Sequence, residues 1–581
     1  MSTRRELPSL SMGFLDALVL PLLCALSSVR AAETSKTQMC RNVPGSAGYP
    51  NAAAWNALNA SISGRLVTMV PSAKFCATRA GGCTDAEWTS AVFRSEIPGA
   101  MNQPNWEQGY DLTPPSLCYL NGTTCGQGDD PLYSVEAETV ADIQTAVKFA
   151  AAHNLRVAVK ASGHDYLGRS TAPFSLLIHT SKLLNISFTD TFFVGDQNMG
   201  FAATVGSGVH SQVVYQQSKA NGRIAVGGSA ATVCAAGGYL QGAGHSALAP
   251  TFGLAADNVF EFHIVVASGE LLKVNSVNNT DLFYALRGGG AGSWGVIVSA
   301  TFRTFPTFNS TFASITLTAT NNTAMASLAT LHAKHLVDFD ASRSSQYFYL
   351  IKDPSSATST MTLSNYMINQ TITQSQEILA PFIKAAQALP GITITASSYT
   401  YALINDILFQ QDDSVGFNLV MGSRLIPAAT YRDSPDVVGK VYQRLLDQGL
   451  TLGILGHLVA GGQVAANSNI SSAVNPAWRT AKTHVILINE WLDSLPLPQI
   501  DTIRRQFQDS QLPIFEQMAG PNAGAYSNEA DIMEPNFQTT FFGPNYAKLS
   551  AIKRKYDPDD LFIVRTGVGS ERWDEWGLCM V

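Results

Sequence analysis

Charge is scarce in this 581-residue chain: Asp, Glu, Lys and Arg make up 14% of it, against 46% hydrophobic residues. The formal net charge is −7 and no Lys/Arg-rich run occurs, so the electrostatic footprint of a nucleic-acid-binding protein is missing. Disorder needs low hydrophobicity and high net charge, and this composition has neither, so the chain should bury a sizeable core. No G-x-x-x-x-G-K-[ST] stretch is present, which excludes a P-loop. G-x-S-x-G, C-x-x-C and H-E-x-x-H are absent too, which removes the nucleophile elbow, the dithiol motif and the zinc-protease helix. There are no internal repeats and no low-complexity segment.

Long apolar runs are also missing. The longest near the start, Ala17–Leu26, is short of the ~20 residues that cross a bilayer, and Asp16 and Pro21 interrupt its surroundings. With Arg4 and Arg5 before it and Ala31 and Ala32 after it, residues 1–32 read as a secretory signal peptide. Eight N-x-S/T sequons, at Asn59, Asn121, Asn185, Asn278, Asn309, Asn321, Asn369 and Asn469, agree with secretion and with N-glycans at some of them.

Cysteine is used sparingly, at eight positions, of which Cys24 falls in the leader. In an oxidising compartment the close pairs Cys76/Cys83 and Cys118/Cys125 are candidate disulfides, and Cys40 and Cys579 could staple the termini. Cys234 is then left over; sequence alone does not settle the connectivity.

Residues 33–125 form an N-terminal segment holding most of the cysteines, with a helix expected over Trp55–Leu66. From Tyr133 the pattern turns α/β: an amphipathic helix over Ile143–Ala152, then strands at Arg156–Lys160, Leu176–His179, Ala202–Val205, Phe260–Ala267 and Val296–Phe305. Between about 310 and 480 the character changes. Strands at Ile315–Thr320, Gln346–Ile351 and Ser359–Leu363, with helices at Ile378–Ala388 and Val437–Asp447, suggest an antiparallel α+β unit. The tail returns to a helix at Asn545–Lys555. His332 and His335 sit one helical turn apart with no neighbouring ligands and read as surface residues, and no metal site is assigned.

Three segments carry chemistry. Lys160-Ala-Ser-Gly-His-Asp-Tyr-Leu-Gly-Arg-Ser170 runs a strand into a Gly-His turn. Val226 to His245 is dominated by Gly and Ala, so its backbone can approach a ligand and offer N–H groups to it. Gly242-x-Gly244-x-x-Ala247 fits the dinucleotide fingerprint only superficially, because Pro250 and the dense Gly spoil the strand-to-helix context. The third segment, Asp281 to Gly295, places five glycines in eight residues after a short helix, more than a helix cap requires.

In this order and spacing the three segments resemble FAD-linked oxidases of the vanillyl-alcohol oxidase type, closest to the secreted berberine bridge enzyme-like branch of plants and fungi. The tail, Tyr526-Ser-Asn-Glu-Ala-Asp531 followed by Asn545–Lys553, Tyr556-Asp-Pro558 and Leu561-Phe562, is similar to that family's closing segment. The resemblance implies an α+β protein. A two-part PCMH-type FAD-binding domain would comprise residues 126–310 and 530–581, and a substrate domain over 311–529 would carry an antiparallel sheet covered by helices. It implies FAD attached covalently to His164, with Ser162, Gly163 and Asp165 toward the pyrophosphate and Gly237, Gly238, Gly242 and Gly244 along the flavin. Asp257 and Asn258 match the motif after the second loop, and His245 matches a family His that is structural or near the ring. A covalent bond through imidazole would make the flavin a stronger oxidant. Many members carry a second link from a Cys where this chain has Ala230, so a single link is expected here, with Cys234 a small buried residue. Glu529, Tyr526 and Glu490 are the candidates for the proton-transferring residue, with Glu529 preferred.

The implied activity is a secreted flavin-dependent oxidase that takes a hydride from a small organic molecule and passes electrons to oxygen, in secondary-metabolite tailoring. A redox-neutral isomerase or cyclase on the same scaffold, an alcohol or carbohydrate oxidase, and a non-catalytic glycoprotein are the competing readings.

Overall fold

The computed structural model describes residues 39–581 apart from 123, 353–355, 449–452 and 522; the expected leader and Cys24 lie outside the described residues. Among the described residues the strands form three sheets, and mixed helices and antiparallel sheets make this an α+β protein.

The smallest sheet has four strands in the order Leu66–Thr68, Tyr133–Glu136, Leu176–His179, Val157–Lys160, the last three parallel. The helix Val140–Ala152 makes the crossover between two of them and buries Ile143, Ala146, Val147 and Ala150. It starts earlier than its apolar spacing suggests because Thr139 and Asp142 form a capping box. The helix expected at Trp55–Leu66 is Ala52–Ser61; Asn51 caps its start, and the backbone turns at Ser63 and Gly64, both at positive φ, before Leu66 opens a strand.

The second sheet, of six strands, is built around Val296–Pro306, which pairs with Gln197–Gly206 on one side and Val259–Val265 on the other. The third has seven strands, each pairing antiparallel with its neighbours, in the order Ile392–Leu403, Asn309–Ala319, Ser359–Met367, Ser345–Lys352, Gly453–Leu458, Ala481–Trp491, Asn418–Pro427. Helices Asn322–His335, Ile372–Gln387 and Asp436–Asp447 cover one of its faces through an apolar core that includes Leu328, Leu379 and Leu445. His332 belongs to that covered face rather than to the surface. It is buried, its Nε2 is 2.5 Å from Gln346 Oε1, and burial pushes its pKa down to about 4. His335 instead pairs with Asp338, so the two histidines share no ligand set.

The C-terminal helix Tyr546–Tyr556 locks the tail to the glycine loop through one buried cation. Lys553 Nζ donates to Ser293 O at 2.8 Å and Phe562 O at 2.6 Å, and pairs with Asp557, which in turn accepts from the backbone N–H groups of Leu561 and Phe562. Disulfides Cys40–Cys579, Cys76–Cys83 and Cys118–Cys125 form as expected, and Cys234 is free and buried. No helix among the described residues is long and apolar enough to cross a membrane.

Removing one partner of a buried pair strands the other charge. Lys553→Met therefore lowers unfolding stability by about 3–5 kcal/mol, measured by reversible denaturation or, where unfolding is irreversible, as a faster thermal inactivation at fixed temperature.

Candidate active site

A cavity of about 650 Å³ lies between the glycine-rich loops and the uncovered face of the seven-stranded sheet. Strand periodicity makes that face. Successive side chains alternate, so His484, Ile486, Ile488 and Glu490 of Ala481–Trp491 point the same way. Their cross-strand partners are His457, Leu455, Met421 and Leu419, in that order. The result is an apolar wall of Leu419, Met421, Leu455, Ile486 and Ile488, with histidines at one end and a carboxylate at the other. Six residues of strand at ~3.3 Å each separate the ends by about 20 Å. Tyr166, two residues past His164, packs against the middle of this wall.

The opposite wall holds most of the residues singled out from the sequence. Ser162, Gly163, His164, Asp165, Gly237, Gly238 and His245 all line the cavity. His164 follows the short buried strand Val157–Lys160, and Lys160 Nζ fastens the neighbouring loop by donating to Ile97 O at 2.9 Å and Pro98 O at 3.0 Å. Gly163 has φ +82°, and a Cβ there would lie 3.0 Å from Ala100 O, so any side chain at this position would be strained. His164 Nδ1 is buried without a protein partner, while Nε2 sits 3.9 Å from Asp413 Oδ2. Asp413 is held by the backbone N–H groups of Ala231, at 2.9 Å, and Thr232, at 3.1 Å. It escaped the sequence reading because it lies in an unpatterned connection, 410–416, that meets the turn only in three dimensions.

Asp165 does not present a free carboxylate. Arg169 clamps it through Nε at 3.0 Å and a terminal nitrogen at 2.7 Å, and the same guanidinium donates to Asn528 Oδ1 at 3.2 Å. Asn528 Nδ2 donates onward to the Tyr526 hydroxyl at 2.9 Å, leaving the phenol's own proton to be donated elsewhere. Gly242 accommodates this link, since a Cβ on it would come within 2.3 Å of the Asn528 amide. Gly242 and Gly244 therefore do not line the cavity. Gly244, at φ +71°, packs with a would-be Cβ 2.7 Å from Ala255. Asp257 and Asn258 are also elsewhere. Asp257 forms a two-pronged pair with Arg479 at 2.7 and 2.8 Å, and Asn258 caps backbone carbonyls of Phe252 and Leu254. These four shape the loop that carries His245 rather than face the cavity.

The three acid–base candidates all reach the cavity, in different electrostatic states. Burial alone would raise the Glu529 pKa, but His245, whose Nε2 is 3.1 Å away, holds it well below the usual carboxylate range; His484 Nδ1 lies 3.4 Å from the same carboxylate. Burial keeps His484 neutral, pushing it down to about 3, and lowers His457 well below its ordinary value. Burial raises the Tyr526 phenol. Glu490 has no cation against it, and partial burial raises its pKa. Cys234 lines the cavity beside Ala230, and burial pushes its thiol up to about 12.

The site fits FAD on its own evidence. The buried, unpartnered His164 Nδ1 offers a lone pair for a covalent bond, and Ser207 Oγ, Gln103 Oε1 and Gln241 Oε1, also buried and unpartnered, line the same cavity as polar contacts for a long ligand. Such a cleft, half glycine loop and half apolar sheet, defines a flavin-dependent oxidoreductase. Family models described as "FAD binding domain" and "Berberine and berberine like" match residues 131–275 and 525–569. An uncharacterized FAD-linked oxidoreductase of Arthroderma benhamiae is 36% identical over 96% of this chain and 98% of its own. A flavin-dependent oxygenase of Aspergillus ustus is 34% identical over 90% of this chain and 98% of its own. The solved VAO-type flavoprotein MtVAO615 of Myceliophthora thermophila is 28% identical, with a TM-score of 0.83 over 94% of this chain and all of that one. This chain belongs to the FAD-linked oxidoreductases of the vanillyl-alcohol oxidase and berberine bridge enzyme-like family.

Placing a methyl group at Gly242 pushes Asn528 out of its link to Tyr526. Gly242→Ala is expected to cost about 1–3 kcal/mol, read from the shift of the denaturation midpoint, and Gly242→Ala combined with Asn528→Ala should recover part of it.

Proposed function

We propose that the protein is a secreted oxidase that holds FAD through a single covalent bond to His164, oxidises a small and largely apolar organic molecule, and returns the electrons to oxygen. The observation that carries the substrate class is the apolar wall of Leu419, Met421, Leu455, Ile486 and Ile488, whose extent, beside the few polar groups of Tyr166, Tyr349, Gln410 and Glu490, favours a substrate with a large apolar face, a secondary metabolite over a carbohydrate. Secretion is supported by the three disulfides and by the exposure of seven of the eight sequon asparagines, Asn59 being half-buried.

Bound FAD would supply a two-electron acceptor for hydride, with oxygen as the final oxidant. The residues do the rest. Asp413, 3.9 Å from His164 Nε2, favours the tautomer protonated there and leaves Nδ1 with the lone pair through which His164 would hold FAD. The Cys234 thiol stays protonated, and Ala230 has no sulfur, so no second bond forms. The apolar wall orients the substrate and excludes water. Glu490 accepts the proton that leaves with the hydride. It replaces Glu529 as first choice because Glu529, held as a carboxylate by His245, has little affinity for a proton, whereas Glu490 faces the cavity with its affinity raised. A redox-neutral isomerase would use the same carboxylate, and one peroxide formed per product separates the two.

Acid-precipitated protein should remain yellow, with all flavin on the peptide containing His164, and His164→Ala should release it; free flavin from the wild type, or flavin on the Cys234 peptide, refutes the single-link assignment. Glu490→Gln should slow flavin reduction by about 10²–10⁴ with flavin retained. In the wild type that rate should fall as pH drops through the Glu490 pKa, above the ~4.3 of an ordinary glutamate, and in the variant this limb should vanish. Reduction at the wild-type rate in Glu490→Gln would move the role to Tyr526.

A further inference from the structure

The histidine end of the cavity has a geometry that neither flavin binding nor proton transfer requires. His457 and His484 are cross-strand partners whose Nδ1 atoms lie 3.3 Å apart. His245 arrives from the glycine-rich loop and Glu529 from the turn after Tyr526. One ligating atom from each of the four lies within 4.8 Å of every other. We propose that His245, His457, His484 and Glu529 form a structural binding site for a divalent zinc-class ion.

The distances carry the case. A tetrahedral zinc with bonds of ~2.0–2.1 Å has ligand–ligand edges of about 3.3–3.4 Å. His245 Nε2 to Glu529 Oε2 is 3.1 Å, His484 Nδ1 to the same oxygen is 3.4 Å, and His457 Nδ1 to His484 Nδ1 is 3.3 Å. The remaining edges, at most 4.8 Å, would shorten by up to about 1.5 Å on binding the ion. Hydrogen accounting points the same way. His484 Nδ1 faces a carboxylate oxygen and a second ring nitrogen at nearly equal distance, and one N–H cannot serve both well. A single cation meets all four lone pairs at once.

The donor set selects the ion. Three imidazole nitrogens and one carboxylate oxygen suit zinc and its neighbours and disfavour calcium and magnesium, which take oxygen. Four protein ligands close the coordination sphere, the mark of a structural rather than a catalytic zinc. They come from two strands of the seven-stranded sheet, the glycine-rich loop and the C-terminal turn, so the ion would clamp the sheet to both. His245 Nδ1 and His484 Nε2 are buried with no protein partner, so these ligands lack the outer carboxylates that strengthen such sites. Affinity should accordingly lie about 10–100-fold below that of a site with them.

The test uses the full-length flavoprotein, purified without a metal-affinity resin and equilibrated with micromolar zinc. About one zinc per chain is expected, with an X-ray absorption shell of nitrogen and oxygen only at ~2.0–2.1 Å. Glu529→Gln and His457→Asn should each lower zinc content at least ~10-fold and abolish the rise in Tm that zinc gives the wild type. Zinc well below one per chain, sulfur in the shell, or zinc content unchanged in both variants overturns the site. If one variant does not fold, the other and the wild-type absorption spectrum decide. The inference does not rest on the flavin assignment, and flavin measured in the same samples keeps the two outcomes apart.

Discussion

One guanidinium holds the cavity's parts in register. Arg169 grips Asp165, next to His164, and reaches Asn528 on the closing turn of the chain. The link is nearly buried at both Asp165 and Arg169, where a charge-assisted hydrogen bond is worth more than at the surface and an unpaired partner would be costly. Because Asn528 passes the connection to Tyr526, and Glu529 follows immediately, the position of His164 and that of the histidine cluster are set by the same side chain. Gly242 has to be glycine for this to happen, which explains one of the loop's glycines by packing rather than by contact with a ligand.

Two carboxylates in one cavity are driven apart by their surroundings. Glu529 lies against His245 and remains ionised, and Glu490, about 20 Å along its strand from His484, is partly desolvated with no cation among the described residues to offset the cost. Splitting two acids in this way is how a single site can hold one fixed negative charge and one movable proton. The apolar residues between them keep water from levelling the difference.

Much of the flavin side was legible in the sequence, because its signals are local. A strand running into Gly163-His164, a glycine-rich loop and a second glycine loop are contiguous patterns, and most of the residues chosen from the first two do face the cavity. The exceptions, Gly242, Gly244, Asp257 and Asn258, sit in the same loops but turn their backbone or side chains into the loop's own scaffold, a distinction that depends on φ and on neighbours far away in sequence. The substrate side was harder to read. Asn418–Pro427 is buried at nearly every position and Ala481–Trp491 almost as fully, so neither shows the polar–apolar alternation that marks a half-exposed strand. Glu490 was picked out from its neighbours, but the face that gives it meaning, and the pairing of His457 with His484, exist only once the strands are placed in order.

That pairing also shows why the histidine cluster could not be seen as a unit. Its members are separated by more than two hundred residues between His245 and His457 and arrive on a loop, two strands and a turn. No spacing motif links them, unlike the helical and hairpin zinc signatures in which two ligands are a few residues apart. What brings them together is sheet register: a one-residue slip of Ala481–Trp491 would turn His484 to the helix-covered face and carry Ile486, Ile488 and Glu490 with it. His484, Ile486, Ile488 and Glu490 are therefore one face of one strand, and whatever holds that strand's register against its neighbours holds its share of the apolar wall, the carboxylate and the histidine end together.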